Sequence, residues 1–126
     1  NQTMDYFLGS VKLGTVPVST GRPNATSPTG QFKIIRKLPV HTYRGIYRNF
    51  PNTKWNLEFK RSYYIHSAYW HNDFGKKPVS GGCVNLPLKD AEKMYNFLRV
   101  GDTVQIVGKT QRGLVPKDRR LTTATP

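Results

Sequence analysis

The strongest constraint in this chain is its punctuation. Apolar residues come in short runs of β-branched and aromatic character, at 6–8, 11–18, 32–38, 63–66 and 103–107. Between them lie segments rich in turn formers: Ser19-Thr20-Gly21-Arg22-Pro23-Asn24, Ser27-Pro28-Thr29-Gly30 and Arg48-Asn49-Phe50-Pro51-Asn52. Pro fixes φ in these segments and Gly permits positive φ. Strand-length runs spaced this closely predict a mainly β fold, a compact β-rich sheet or sandwich. One stretch has a different period. Ala91, Met94, Tyr95 and Leu98 recur at helical spacing, with Lys89, Glu92, Lys93 and Asn96 on the other side and Gly101 placed to end the element. A helix is therefore expected over 88–99, and a last strand over 103–107.

A length of 126 residues suits one domain with one core. Hydrophobic residues at 37% and aromatics at 12% fit a folded chain rather than a disordered one. The expected division is a folded domain over 1–108 and a basic, flexible C-terminal tail over 109–126. In that tail Lys109, Arg112, Lys117, Arg119 and Arg120 outnumber Asp118 among Pro, Gly and Thr. With 20 Lys and Arg against 7 Asp and Glu, the formal charge of +13 attracts polyanions without naming one. The basic residues, among them Lys33, Arg36, Arg44, Lys54, Lys60 and Lys76, are scattered rather than set in a recognised nucleic-acid signature. Self-repulsion of such a surface makes a monomer the expectation. No apolar run of about 18 residues occurs, and Asn1-Gln2-Thr3-Met4-Asp5 lacks the order of a signal peptide, so any export signal or anchor is expected outside this stretch.

A single cysteine, Cys83, excludes an intramolecular disulfide. It stands in the run Ser80-Gly81-Gly82-Cys83-Val84-Asn85, shortly after His66-Ser67-Ala68-Tyr69-Trp70-His71-Asn72-Asp73-Phe74-Gly75. A thiol becomes a useful nucleophile where a base or a positive field favours its thiolate, and a histidine supplies both. Two glycines before the thiol let the backbone turn tightly and present N–H groups to an oxyanion. Cys, His and an N–H hole are the minimum set for acyl transfer. His71, His41 and His66 are too poorly spaced for a zinc site.

These residues carry a resemblance. The block from Trp55 to Val107, with His66-Ser67, Tyr69-Trp70-His71-Asn72-Asp73-Phe74-Gly75 and Ser80-Gly81-Gly82-Cys83-Val84-Asn85-Leu86, resembles the L,D-transpeptidase catalytic (YkuD-type) domain. Upstream, Pro17-Val18-Ser19-Thr20-Gly21 and Ser27-Pro28-Thr29-Gly30-Gln31-Phe32-Lys33-Ile34 resemble that family's other signature. One departure stands out: Gly81 occupies the position where the family most often has a second His.

The resemblance implies cysteine-dependent acyl transfer on peptidoglycan stem peptides in the extracytoplasmic cell envelope, without metal or organic cofactor. Cys83 attacks the carbonyl of the third-position diamino acid, D-alanine leaves, and an amine of a neighbouring stem resolves the thioester. Resolution by water makes an L,D-carboxypeptidase instead, and a silent, basic wall-binding module is the remaining alternative. Cys83 is the implied nucleophile and His66 its base, with Ser67 orienting His66 and the N–H groups of Gly82 and Cys83 as oxyanion donors. Tyr69 and Trp70 are candidate walls of the substrate groove. Ser80 and Asn85 are candidate substrate contacts that fit better as holders of the turn. Trp55 and Tyr47 are positioned to form a lid. A β-lactam of the carbapenem type is expected to acylate Cys83.

Overall fold

The computed structural model describes residues 2–44, 49–107 and 120–125, the last of these in backbone only. Among them are nine strands and one helix: β1 (Thr3–Leu8), β2 (Val11–Pro17), β3 (Gly30–Lys33), β4 (Arg36–Arg44), β5 (Asn49–Lys60), β6 (Tyr63–Ser67), β7 (Val84–Leu86), α1 (Leu88–Phe97), β8 (Thr103–Ile106) and β9 (Arg120–Thr125). They form a five-stranded sheet in the order β2-β1-β9-β8-β3 and a four-stranded sheet in the order β4-β5-β6-β7. The mainly β fold with one helix is as the sequence predicts.

The run expected at 32–38 is divided between the sheets. Ile34 donates its N–H to the Asp102 carbonyl beside β8, while Ile35 donates to the Glu58 carbonyl of β5. The chain thus passes from one sheet to the other at these two residues, with Ile34 buried and Ile35 exposed. Met4, Val16, Ile34, Leu57, Phe59, Ile65, Val84, Leu86, Met94, Leu98, Val104 and Ile106 make one core cluster drawn from both sheets and the helix. Helix α1 lies against β5, β6 and β7 and buries Ala91 and Met94, as its period predicts. It ends two residues before the expected 99. Leu98 leaves helical geometry at φ −84° and ψ 148°. There Lys37 Nζ donates to the Leu98 carbonyl at 2.9 Å, a cation at the negative end of the helix.

Two expectations meet a different arrangement. The turn read at 48–52 is, from Asn49 onward, the start of the longest strand, β5. Its turn chemistry survives inside the strand: Asn52 has φ 56° and Trp55 φ 62°, and the pairing with β4 shifts register between His41 and Tyr43. The tail expected over 109–126 contains β9. This strand runs antiparallel to β1, with Thr3 opposite Thr125, and parallel to β8, with Thr103 opposite Leu121. The remainder of that span, 108–119 and 126, lies outside the described residues.

Candidate active site

The site is built on the parallel pair β6 and β7, in which Ile65 faces Val84, His66 faces Asn85 and Ser67 faces Leu86. Side chains alternate across a strand, so Ile65, Val84 and Leu86 enter the core while His66 and Asn85 share the other face. His66 is only 3% exposed. The Tyr43 ring stacks on it at 4.5 Å between centroids, and Trp70 lies tilted at 5.9 Å. Its Nδ1 hydrogen-bonds the Ser67 carbonyl. A carbonyl only accepts, so the ring proton is on Nδ1 and Nε2 keeps its lone pair. The Ser67 hydroxyl turns away and donates to the Lys54 carbonyl at 2.8 Å. Ser67 therefore orients His66 through its backbone, not through the side chain that a triad reading of the sequence suggests.

Cys83 immediately precedes β7 and is half-buried. The turn before it is held by Ser80, whose Oγ donates to the Cys83 carbonyl and accepts the Gly82 N–H at 3.0 Å. Gly82 sits at φ 128°, and a Cβ there would stand 2.7 Å from the Tyr63 ring, so only glycine fits. A cleft of about 770 Å³ opens over this turn. Its aromatic wall is Tyr43, Phe50 and Trp70, its cations are Arg22 and Arg44, and His66, His71, Ser80, Gly81, Cys83 and Asn85 are among the residues lining it. Phe50 and Trp70 stack at 3.7 Å.

His71 places a second imidazole in the cleft. Its Nδ1 accepts the Asp73 N–H at 3.0 Å, and its Nε2 lies 3.1 Å from the Asn85 amide. Burial lowers the pKa of His71, with Asp73 acting the other way. A neutral ring whose Nδ1 accepts must carry its proton on Nε2, and that N–H needs the amide oxygen of Asn85. With the amide so oriented, its NH₂ group occupies the place of Asn85's buried polar atom that has no partner. Asn85 is 1% exposed, so this leaves a desolvated donor on the cleft lining.

Burial also governs His66 and Cys83. It lowers the pKa of His66 to about 4, with His41 and His71 adding to the effect and the Ser67 carbonyl opposing it. It raises that of Cys83 to about 11, opposed by the backbone of Tyr64. Both directions favour the thiol and the neutral imidazole over a preformed ion pair near neutral pH.

The model of the L,D-transpeptidase catalytic domain family matches residues 1–106. The chain belongs to that family. Probable L,D-transpeptidase 3 of Mycobacterium tuberculosis is 33% identical over 104 residues, covering 72% of this chain and 38% of its own length. An L,D-transpeptidase from Mycobacterium smegmatis superposes with a TM-score of 0.73 at 25% identity, over 79% of this chain and 51% of that one. L,D-transpeptidase 3 from Mycobacterium tuberculosis in complex with a faropenem-derived adduct gives 0.68 at 28% identity, over 73% and 44%. The chain thus spans about half or less of the length of the relatives it matches.

Within this L,D-transpeptidase domain, the structure gathers His66, Cys83, Trp70, Ser80 and Asn85 on one cleft. It does not bring Tyr69 there. That side chain is 60% exposed, donates to the Pro51 carbonyl at 2.8 Å and meets Trp70 edge-on, so it braces the wall from outside. Gly82, expected as an oxyanion donor, has its N–H engaged by Ser80 Oγ. Trp55 is no lid: it packs on the core and on Tyr95 at 5.2 Å, and Tyr47 lies outside the described residues. Tyr43, Phe50, Arg22, Arg44 and Asp73 line the cleft without having been singled out in the sequence. By spacing alone His71 reads as a poor metal ligand, and its place in the dense run after His66 is the signal that points to the cleft.

Proposed function

We propose that the domain carries out cysteine-dependent acyl transfer on peptidoglycan stem peptides, as an extracytoplasmic L,D-transpeptidase. The observation that supports this most is the coupling of His66 to the Ser67 carbonyl, which frees Nε2 in the cleft that also holds Cys83. His66 Nε2 takes the thiol proton as Sγ attacks the carbonyl of the third-position diamino acid. Negative charge on the carbonyl oxygen is met by the Cys83 N–H, with Gly82 fixing the turn that aims it. Collapse breaks the amide bond, His66 returns its proton to the departing D-alanine amine, and a thioester remains on Cys83. An amine of a second stem then attacks the thioester while His66 accepts its proton, and the proton passes to the released thiol. Asn85, only 1% exposed, holds the His71 ring through its amide, and Trp70 supplies an apolar wall. Among the described residues no helix is long and apolar enough to cross a membrane. The charge of +13 favours retention among anionic wall polymers.

The deciding experiment follows a disaccharide-tetrapeptide by mass spectrometry with the wild type, Cys83→Ala and His66→Ala. Release of D-alanine with dimer formation, lost in both variants, is expected. D-alanine without dimer means hydrolysis in place of transfer. No product, together with no mass increase after incubation with a carbapenem, overturns the acyl-transfer reading.

A further inference from the structure

The segment between β2 and β3 is tied to the turn that carries Cys83. Ser80 N–H donates to the Thr20 carbonyl at 3.0 Å and Arg22 N–H to the Ser80 carbonyl at 2.9 Å. Ser27 Oγ accepts the Gly21 N–H at 2.9 Å and donates to the Gly82 carbonyl at 2.8 Å. Gly21 has no room for a side chain, because a Cβ would lie 2.1 Å from the Ala25 carbonyl oxygen. The backbone that delivers Arg22 to the cleft is therefore fixed on both sides.

The side chain then lies over Gly81. Arg22 Nη1 donates to the Ser80 carbonyl at 3.3 Å and stands 3.7 Å from where a Gly81 Cβ would be, the one heavy atom within 4 Å of that point among the described residues outside 80–82. A Cβ fits at this distance, but any longer side chain at 81 competes with the guanidinium for space. A guanidinium has five N–H donors, and this contact uses one. Among the described residues the ion pairs within 4 Å are Lys12 with Asp5 and Arg36 with Glu58, so Arg22 brings to the cleft a charge that no carboxylate contacts, Asp73 being the one acidic residue of the lining.

We infer that Arg22 binds a carboxylate of the acyl donor next to the scissile amide, in the space that Gly81 leaves open. This rests on the acyl-transfer reading above. Successive Cα atoms are 3.8 Å apart, so Gly81 is within about 7.6 Å of Cys83. In the donor, the carboxylate of the leaving residue is within about 5 Å of the attacked carbonyl, by the same bond lengths. A planar fork matches a carboxylate with two parallel hydrogen bonds, which Lys cannot reproduce. Two carboxylates of a stem peptide satisfy this chemistry, the terminal one of the leaving D-alanine and the free one of a diamino acid.

The test compares three disaccharide-tetrapeptides: one with both carboxylates free, one with a terminal carboxamide, and one amidated at the diamino acid. Wild type, Arg22→Gln and Arg22→Lys are assayed with each, after thermal melts confirm the fold, as expected for an exposed side chain. Arg22→Gln should raise KM for the free donor by about 10- to 100-fold with little change in kcat. One of the amidated donors should be insensitive to the substitution, which identifies the carboxylate, and Arg22→Lys should recover part of the loss. An equal fall in kcat/KM for all three donors overturns the inference. Should the wild type turn over none of them, the acyl-transfer reading fails first. Calorimetric binding to Cys83→Ala then decides on Arg22: affinity that depends on a free carboxylate and vanishes with Arg22→Gln upholds it, and equal affinity for the three peptides overturns it.

Discussion

The two sheets are assembled in opposite ways. The four-stranded sheet uses β4, β5, β6 and β7 in their chain order, so each strand lies beside its neighbour in sequence. The five-stranded sheet gathers strands from both ends of the chain, and among the described residues β9 alone joins the β1–β2 hairpin to β8 and β3. The sheet with local order carries His66, Asn85 and the approach to Cys83, and among the described residues the sheet with remote order supplies no strand to the cleft lining. The contrast teaches that chemistry and closure are separate tasks in this fold. The site sits on a meander finished by one parallel strand, while the chain ends secure the other layer.

The largest test of that contrast removes residues 109–126. Losing β9 strips β1 and β8 of a shared partner, and the cost should be on the order of 5 kcal/mol, comparable with the whole stability of a domain this size. The truncated chain should melt at least 10 °C lower or fail to fold; a melt within 2 °C of the full chain would show that the sheet closes without β9.

The next test concerns the chemical half. His66 is held neutral by burial, and because its pKa is lowered from 6.5 to about 4 it can accept a proton throughout the interval between those values. The acid limb of kcat/KM should therefore fall near pH 4 and activity at pH 5.5 should stay near its plateau. A limb near 6.5 would mean that the imidazole is solvated in the free protein.

Gly82→Ala probes the junction at a smaller scale. A side chain at φ 128° with its Cβ 2.7 Å from the Tyr63 ring should cost about 1–3 kcal/mol and lower activity with it. Unchanged melting and turnover would show that the turn is not constrained as described. The smallest effect is expected of Ser67→Ala. It removes a hydroxyl bonded to the Lys54 carbonyl, worth about 1 kcal/mol, and leaves the carbonyl that orients His66. Activity should fall less than tenfold in the same donor assay, and a loss as large as that of His66→Ala would return the orienting role to the side chain.

The same division explains what was legible in the sequence. The strand ending in His66, the Gly-rich turn before Cys83 and the helix face of Ala91, Met94 and Leu98 follow from local pattern and were readable. Strand β5 was not, because Pro51 and Asn52 carry turn chemistry that the fold uses as an irregularity within a strand. Nor was β9, whose Thr-rich run follows a basic, Gly- and Pro-containing stretch and whose partners are at the other end of the chain. In the site, Tyr69 and Trp70 are equally aromatic neighbours with opposite destinations, settled by which one meets Phe50 and His66. Arg22 reads as part of a turn, since its closeness to Gly81 exists only after Ser80 has paired with Thr20 and Arg22.

A parallel pair of strands cannot be joined by a tight hairpin, so residues 68–83 must run out and return between β6 and β7. His66 stands next to the end of the outgoing strand and Cys83 ends the returning loop, so the register of the pair fixes the backbone on either side of the path between them. Insertions in that path away from 70–73 and from 77–83 should be tolerated, and each would reshape the mouth of the cleft while His66 and Cys83 keep their places. The loop is thus the part of this domain in which selection can alter what is admitted without redesigning what is done to it.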